Sequence, residues 1–197
     1  MMSHDDRVKK VIGASRQWRG RFHWHSLRRQ QGAVKLPMLN GTTRMQICQA
    51  TTPEQIAMIR GLFQDYAAWF RIDLCYQGFA EELKSLPGYY APPRGRLLLA
   101  TGTNGSTGCG AVRPLGDTVC EMKRLFVRPA YQGRGWGRAL AQRAVSEARS
   151  IGYSTMRLDT LPFMHGAMRL YESLGFVRRS AYYDTPLQET VFMELQL

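Results

Sequence analysis

The sequence predicts a mixed α/β domain, and three observations point to it. Apolar runs of strand length, such as "RLLLA" (96–100) and "VCEMKRLFV" (119–127), alternate with segments whose apolar residues recur at helical spacing. The chain's 197 residues, 44% of them hydrophobic and 21% charged, suffice for one well-buried domain and are short for two. Finally, "VRPAYQGRGWGRALAQRAV" (127–145) sets three glycines between a strand-like run and an amphipathic one.

The elements follow in order from Met45. "MQICQA" reads as a short strand. Thr52-Pro53-Glu54 opens a helix, with threonine as N-cap, proline in the first turn and a carboxylate near the positive end. Ile56, Ile59, Leu62, Phe63, Tyr66 and Phe70 then recur at helical spacing. "GFAEELKSL" is a second, short helix stopped by Pro87-Gly88. "RLLLA" and "CGAVRPL" are strands joined by the turn-rich "TGTNGSTG", which predicts an antiparallel hairpin. A third strand, 119–127, follows the Gly116-Asp117 turn. Beyond the glycine loop, Leu140, Ala141, Ala144, Val145 and Ala148 form one face of a helix that Gly152 ends. "TMRLDT" is a strand, and Pro162 to Leu174 a helix closed by Gly175. "GFVRRSAYYD" and "TVFMELQL" finish as strands.

The formal charge of +12 is unevenly spread: residues 1–44 carry a net +8 and residues 45–197 only +4. The first segment has no sustained helical or alternating period, and it reads as a basic, disordered tail preceding a domain at 45–197. Upstream sequence before a later start at Met38 or Met45 is the companion reading. A nucleic-acid arm is the sharper one, since "RQWRGRFHWHSLRR" interleaves arginines with Trp18, Phe22 and Trp24. An organellar presequence sits badly with Asp5 and Asp6. The tail is favoured, so nucleic acid is not the expected partner. No apolar stretch approaches the length that spans a bilayer. Cys48, Cys75, Cys109 and Cys120 show neither a Cys-x-x-Cys pair nor a zinc spacing, which predicts reduced thiols, a cytoplasmic protein and no metal.

A helix N-terminus presents unpaired N–H groups and a positive dipole end, so it attracts phosphate. In Gln132-Gly133-Arg134-Gly135-Trp136-Gly137 the amides of 133–137 can surround a pyrophosphate, with Arg134 and Arg138 adding charge. The plainer alternative is a glycine turn with solvated arginines. The spacing G-x-G-x-G does not fit the dinucleotide fingerprint, and no Walker Gly-Lys-Ser/Thr occurs.

"LFVRPAYQGRGWGRAL" followed by "AMRLYESLGF" resembles the GNAT superfamily of N-acetyltransferases. Such enzymes carry a strand ending in Val-x-Pro and then Gln/Arg-x-x-Gly-x-Gly/Ala entering a helix. An Ala-x-x-x-Tyr-x-x-x-Gly-Phe helix end follows, here Ala167, Tyr171, Gly175 and Phe176. The resemblance implies a single-domain, mostly antiparallel sheet flanked by helices, with its central strands splayed at an acetyl-CoA site. It implies acetyl-CoA as co-substrate, its pyrophosphate on residues 133–137 and its pantetheine arm beside Leu125, Phe126 and Val127. Met164 stands where many members have an asparagine that contacts the pantetheine.

Acetyl transfer from a thioester to an amine needs a neutral amine, a donor to the developing oxyanion and a proton for the departing thiolate. Glu121 is the candidate base; a glutamate salt-bridged to Lys123 at i+2 is the equal alternative. Asp159 is a second carboxylate that can face the same gap, although a turn-forming aspartate is the plainer reading. A backbone N–H near Phe126 or Val127 is the expected oxyanion donor. Tyr171 is the candidate general acid by its place in the family pattern, against a core tyrosine on the stripe Met164, Ala167, Met168, Tyr171, Leu174. The resemblance places the acceptor wall at Trp69 to Arg71 and at 88–95, where Tyr89, Tyr90, Arg71, Arg113, Lys123 and Arg124 could hold an acceptor's carboxylate. A small-molecule amine is the expected acceptor, with protein N-terminal or lysine acetylation as the second class. A CoA-binding module without turnover is the non-enzymatic alternative.

Overall fold

A computed structural model describes residues 45–70, 78–187 and 189–197. The basic segment 1–44, and with it every reading of a tail or arm, lies outside the described residues, as do Arg71 and Cys75. The elements are β1 (Gln46–Gln49), α1 (Pro53–Phe70), α2 (Phe79–Ser85), β2 (Arg96–Gly102) and β3 (Gly105–Pro114). They continue as β4 (Val119–Val127), α3 (Trp136–Ile151), β5 (Thr155–Thr160), α4 (His165–Ser173), β6 (Val177–Arg179) and β7 (Val191–Gln196).

The strands form one sheet in the order β1-β2-β3-β4-β5-β7-β6, antiparallel throughout except where β4 runs parallel to β5. Each face of the sheet is covered. Cys120, Met122, Met156 and Leu158 pack on one side against Trp136, Leu140, Ala144 and Ala148 of α3 and Tyr171 of α4. Leu97, Leu99, Cys109, Ala111 and Phe126 pack on the other against Ile59, Leu62 and Phe63 of α1. The period-2 alternation of the strands therefore feeds two cores from one sheet.

Local signals act as the sequence predicts at α1, where Thr52 and Gln55 form a reciprocal cap. The Gln55 amide N–H donates to Thr52 Oγ1 at 3.3 Å, and Gln55 Oε1 accepts from the Thr51 and Thr52 amides at 2.8 and 3.2 Å. Two elements are shorter than expected. The last helix starts at His165, not Pro162, because Leu161 to Met164 makes a turn closed by the Met164 amide on the Leu161 carbonyl. The strand expected over 175–184 stops at Arg179: Tyr182 turns in towards β4, and Tyr182 and Tyr183 cluster on Phe192.

Candidate active site

The sheet opens where β4 and β5 part. Only Val119, Cys120 and Glu121 pair with β5, opposite Thr155, Met156 and Arg157, although β4 runs to Val127 and β5 to Thr160. A bulge in β4 accompanies the divergence. Cys109 of β3 faces Phe126 while Ala111 faces Lys123, so two β4 residues, Arg124 and Leu125, oppose the single residue Gly110. Arg124 takes a left-handed φ of 54° there. β3 comes so close at the bulge that a Cβ on Gly108 would lie 2.6 Å from the Phe126 carbonyl oxygen. The bend carries β4 away from β5 and leaves a cleft between them, lined by Lys123 and Leu125 of β4, Asp159 of β5, Tyr171 of α4 and Tyr66 and Phe70 of α1.

The glycine loop meets α3 at the end of β4. Gly133 and Gly135 have φ of +74° and +83°, and Gly135 is the N-cap of α3, with no side chain capping the helix. A Cβ at either glycine would meet no protein atom within 4 Å, so the bare backbone faces open space. Gln132 ties the loop down by donating from Nε2 to the Val127 carbonyl at 2.9 Å, which occupies that carbonyl within the chain. Trp136 is buried in the core and stacked edge-on to Tyr131. The Arg134 guanidinium lies over the Tyr131 ring at 6.0 Å, and Arg138 reaches Ser173 Oγ at 2.9 Å.

Tyr171 is buried, lines the cleft and packs on Phe176. Burial, and then the neighbouring Tyr66 and the charge of Asp159, push its phenol well above the ordinary tyrosine range, so it holds its proton at neutral pH. It is thus both packed and placed at the cleft.

Glu121 is 0% exposed and has both oxygens engaged: Arg113 Nε donates to Oε2 at 2.6 Å, and the Tyr182 hydroxyl donates to Oε1 at 2.6 Å. Its salt-bridge partner is Arg113, across the β3–β4 pair, rather than Lys123. Lys123 instead spans the opening to Asp159, Nζ to Oδ1 at 3.1 Å. Among the described residues, Arg124, Arg157 and Arg179 are also matched. Arg124 forks onto Glu82 of α2 at 3.0 and 2.5 Å, Tyr90 donates to the same Glu82 at 2.7 Å, and Arg157 and Arg179 share Glu194. Of the residues expected to hold an acceptor's carboxylate, Tyr90, Arg113, Lys123 and Arg124 are already committed, Tyr89 is exposed, and Arg71 lies outside the described residues.

Sequence reasoning did not pair Lys123 with Asp159 or find Glu82 and Tyr182. Alternation along β4 and β5 places 121, 123, 157 and 159 on one face, but the side-chain pairing of Lys123 with Asp159 across the opening beyond the last β4–β5 pair is a tertiary fact. Among the described residues no group of three or more His, Cys, Asp or Glu could hold a metal ion.

The family described as Acetyltransferase (GNAT) matches residues 59–176, which hold the cleft and the loop together. The chain belongs to the GNAT acetyltransferase family. An uncharacterized N-acetyltransferase of Schizosaccharomyces pombe is 36% identical over 157 residues, covering 79% of this chain and 96% of that protein. An acetyltransferase structure from Streptococcus agalactiae matches with a TM-score of 0.64 at 22% identity, covering 78% of this chain and 98% of that one. A putative acetyltransferase from Salmonella typhimurium, described with its cofactor acetyl-CoA, matches with a TM-score of 0.56 at 23% identity, over 77% and 93% of the two chains. The GNAT chain described here is an acyltransferase with the family's open-sheet fold. No helix among its described residues is long and apolar enough to cross a membrane.

Proposed function

We propose that this GNAT enzyme uses acetyl-CoA to acetylate a primary amine of a small molecule by direct transfer. The observation that carries the reading is the conjunction of the β4–β5 opening, with Tyr171 at its wall, and the uncapped glycine mouth of α3 at the end of the same strand. Amides of Gly133 to Gly137 receive the pyrophosphate, where open space above Gly133 and Gly135 leaves room for it and the helix dipole favours it. Leu125 to Val127 lie beyond the last β5 pairing; with the Val127 carbonyl already taken by Gln132, the strand edge at Leu125 and Phe126 suits an amide-rich arm. A backbone N–H of Phe126 or Val127 is the donor to the thioester oxygen. Tyr171 protonates the departing sulfur. The Salmonella neighbour, whose description names acetyl-CoA, supports the choice of co-substrate.

The free cysteines Cys48, Cys109 and Cys120 suit a reducing compartment, and we place the enzyme in the cytoplasm. Isothermal titration with acetyl-CoA, followed by thiol release measured against a panel of amines and peptides, tests the reading. Tight CoA binding with amine-dependent thiol release is the expected result. Absence of CoA binding overturns it, and a preference for peptides over free amines reassigns the acceptor class.

A further inference from the structure

Among the described residues, Arg124 is the one non-glycine with a left-handed backbone, at φ 54°. Such a backbone is costly for a residue with a Cβ, and it persists where the surroundings over-determine it. Three contacts do so here. The guanidinium forks onto both oxygens of Glu82, from Nε at 3.0 Å and Nη2 at 2.5 Å, and the Tyr90 hydroxyl holds the same carboxylate at 2.7 Å. The rings of Phe79 and Tyr66 stand 5.1 and 5.8 Å from the guanidinium carbon. From β3, the buried Cys109 thiol donates to the Arg124 carbonyl at 3.4 Å; burial pushes this thiol above its ordinary range, so it keeps its proton. The Arg124 and Glu82 side chains are only 3% and 16% exposed, and Glu82 does not line the cleft.

The clamp acts on a backbone whose phase matters. N–H groups along a strand alternate in direction with period two, as side chains do, so one extra residue exchanges the directions of all that follow. The exchange is visible in β4. Before the bulge the even-numbered Cys120 and Met122 face the α3 core; after it the odd-numbered Val127 faces that core, and Phe126 faces the α1 core. Were Arg124 to relax to an ordinary strand conformation, the amides of Leu125 to Val127 that border the opening would trade places with those that face β3.

We infer that Glu82 is a positioning residue for acetyl transfer: through Arg124 it holds the bulge that aims a β4 amide at the thioester oxygen. This rests on the acetyl-transfer reading above. Glu82 neither touches the reacting atoms nor moves a proton; it fixes the direction of a donor that the backbone supplies. The guanidinium serves as the handle, since only a long, forked cation spans from the bulge to α2 and fills both carboxylate oxygens.

The test compares wild type with Glu82→Gln, Arg124→Ala and Arg124→Gly. Each is given a melting curve, an acetyl-CoA titration and a single-turnover transfer to the best amine of the panel above. Acetyl-CoA labelled with ¹³C at the thioester carbonyl adds a direct readout, because a hydrogen bond to that oxygen moves the carbonyl resonance on binding. Glu82→Gln is expected to lose most of this shift and about tenfold or more in transfer rate, towards the roughly 10²–10³-fold that loss of an oxyanion donor costs. Its acetyl-CoA affinity and the KM of the amine change little. Arg124→Ala and Arg124→Gly lose the fork alike, but only glycine takes the left-handed φ freely. Arg124→Gly is therefore expected to transfer about tenfold faster than Arg124→Ala. A wild-type shift and rate in folded Glu82→Gln, equal losses in the two Arg124 variants, or failure of all three to fold makes the clamp structural only and overturns the inference. Acetyl-CoA binding to wild type without a carbonyl shift also overturns it and leaves the acetyl-transfer reading standing. Absence of acetyl-CoA binding to wild type removes both.

Discussion

Tyr171 carries two obligations, packing on Phe176 and lining the cleft, and substitution separates them. Tyr171→Phe keeps the ring and removes the hydroxyl. We expect kcat to fall by about 10²–10⁴-fold with acetyl-CoA affinity nearly unchanged, read by single-turnover transfer so that product release does not mask the step. A purely structural tyrosine gives the reverse, a lower Tm with activity per folded molecule retained. At Gly135 the left-handed φ and the open space above the Cα address different questions. Gly135→Asn tolerates the backbone and adds a small side chain, whereas Gly135→Glu puts a carboxylate where phosphate is expected. We expect Gly135→Glu to abolish CoA binding in titration while the melting transition survives. Equal CoA affinity in both variants would remove the loop as phosphate site.

At the scale of elements, the bulge and α2 are fastened to each other by one ion pair. Arg124 leaves β4 with a left-handed backbone and forks onto Glu82, with Tyr90 as a second donor and the Phe79 ring 5.1 Å from its guanidinium carbon. Burial opposes the Glu82 charge, but the hydrogen bonds and charge of Arg124 outweigh it and hold the carboxyl below its usual range. A lowered folded-state value means stability that is present above the unfolded value, about 4.3, and lost as pH falls through the folded one. We therefore expect wild type to lose stability below about pH 4 and Glu82→Gln to lose less over that window. At neutral pH the same variant removes the Glu82 charge from beside the buried Arg124, and denaturant melts are expected to show a loss of stability.

For the whole molecule, every described element begins after Met45, and the described residues of both cores start at Met45. We propose that residues 45–197 form the folding unit and that the basic segment adds charge without adding core. A chain starting at Met45 should melt cooperatively and bind acetyl-CoA as the full chain does. Loss of a cooperative transition in calorimetry would place part of the core in the first segment. The same truncation reads the charge, since a nucleic-acid role of the arm predicts loss of salt-dependent affinity with it.

The sequence by itself determined the order and type of the elements, though not the start of the last helix or the end of β6, because their signals are local. The Thr52–Gln55 cap, the strand and helix periods, and the ends at Gly152 and Gly175 all lie within a few residues of the structure they specify. It also determined the family, since the glycine loop and the Tyr171 helix end are contiguous motifs. The tertiary structure decided which charges meet. Glu121 and Asp159 look alike along the chain, yet the antiparallel β3–β4 register and the inward turn of Tyr182 seal the first, while the parting of β4 from β5 leaves the second at the cleft beside Lys123. Strand alternation assigns a face to each residue, but register between distant strands depends on the packing of both cores at once, and no short stretch of the chain encodes it.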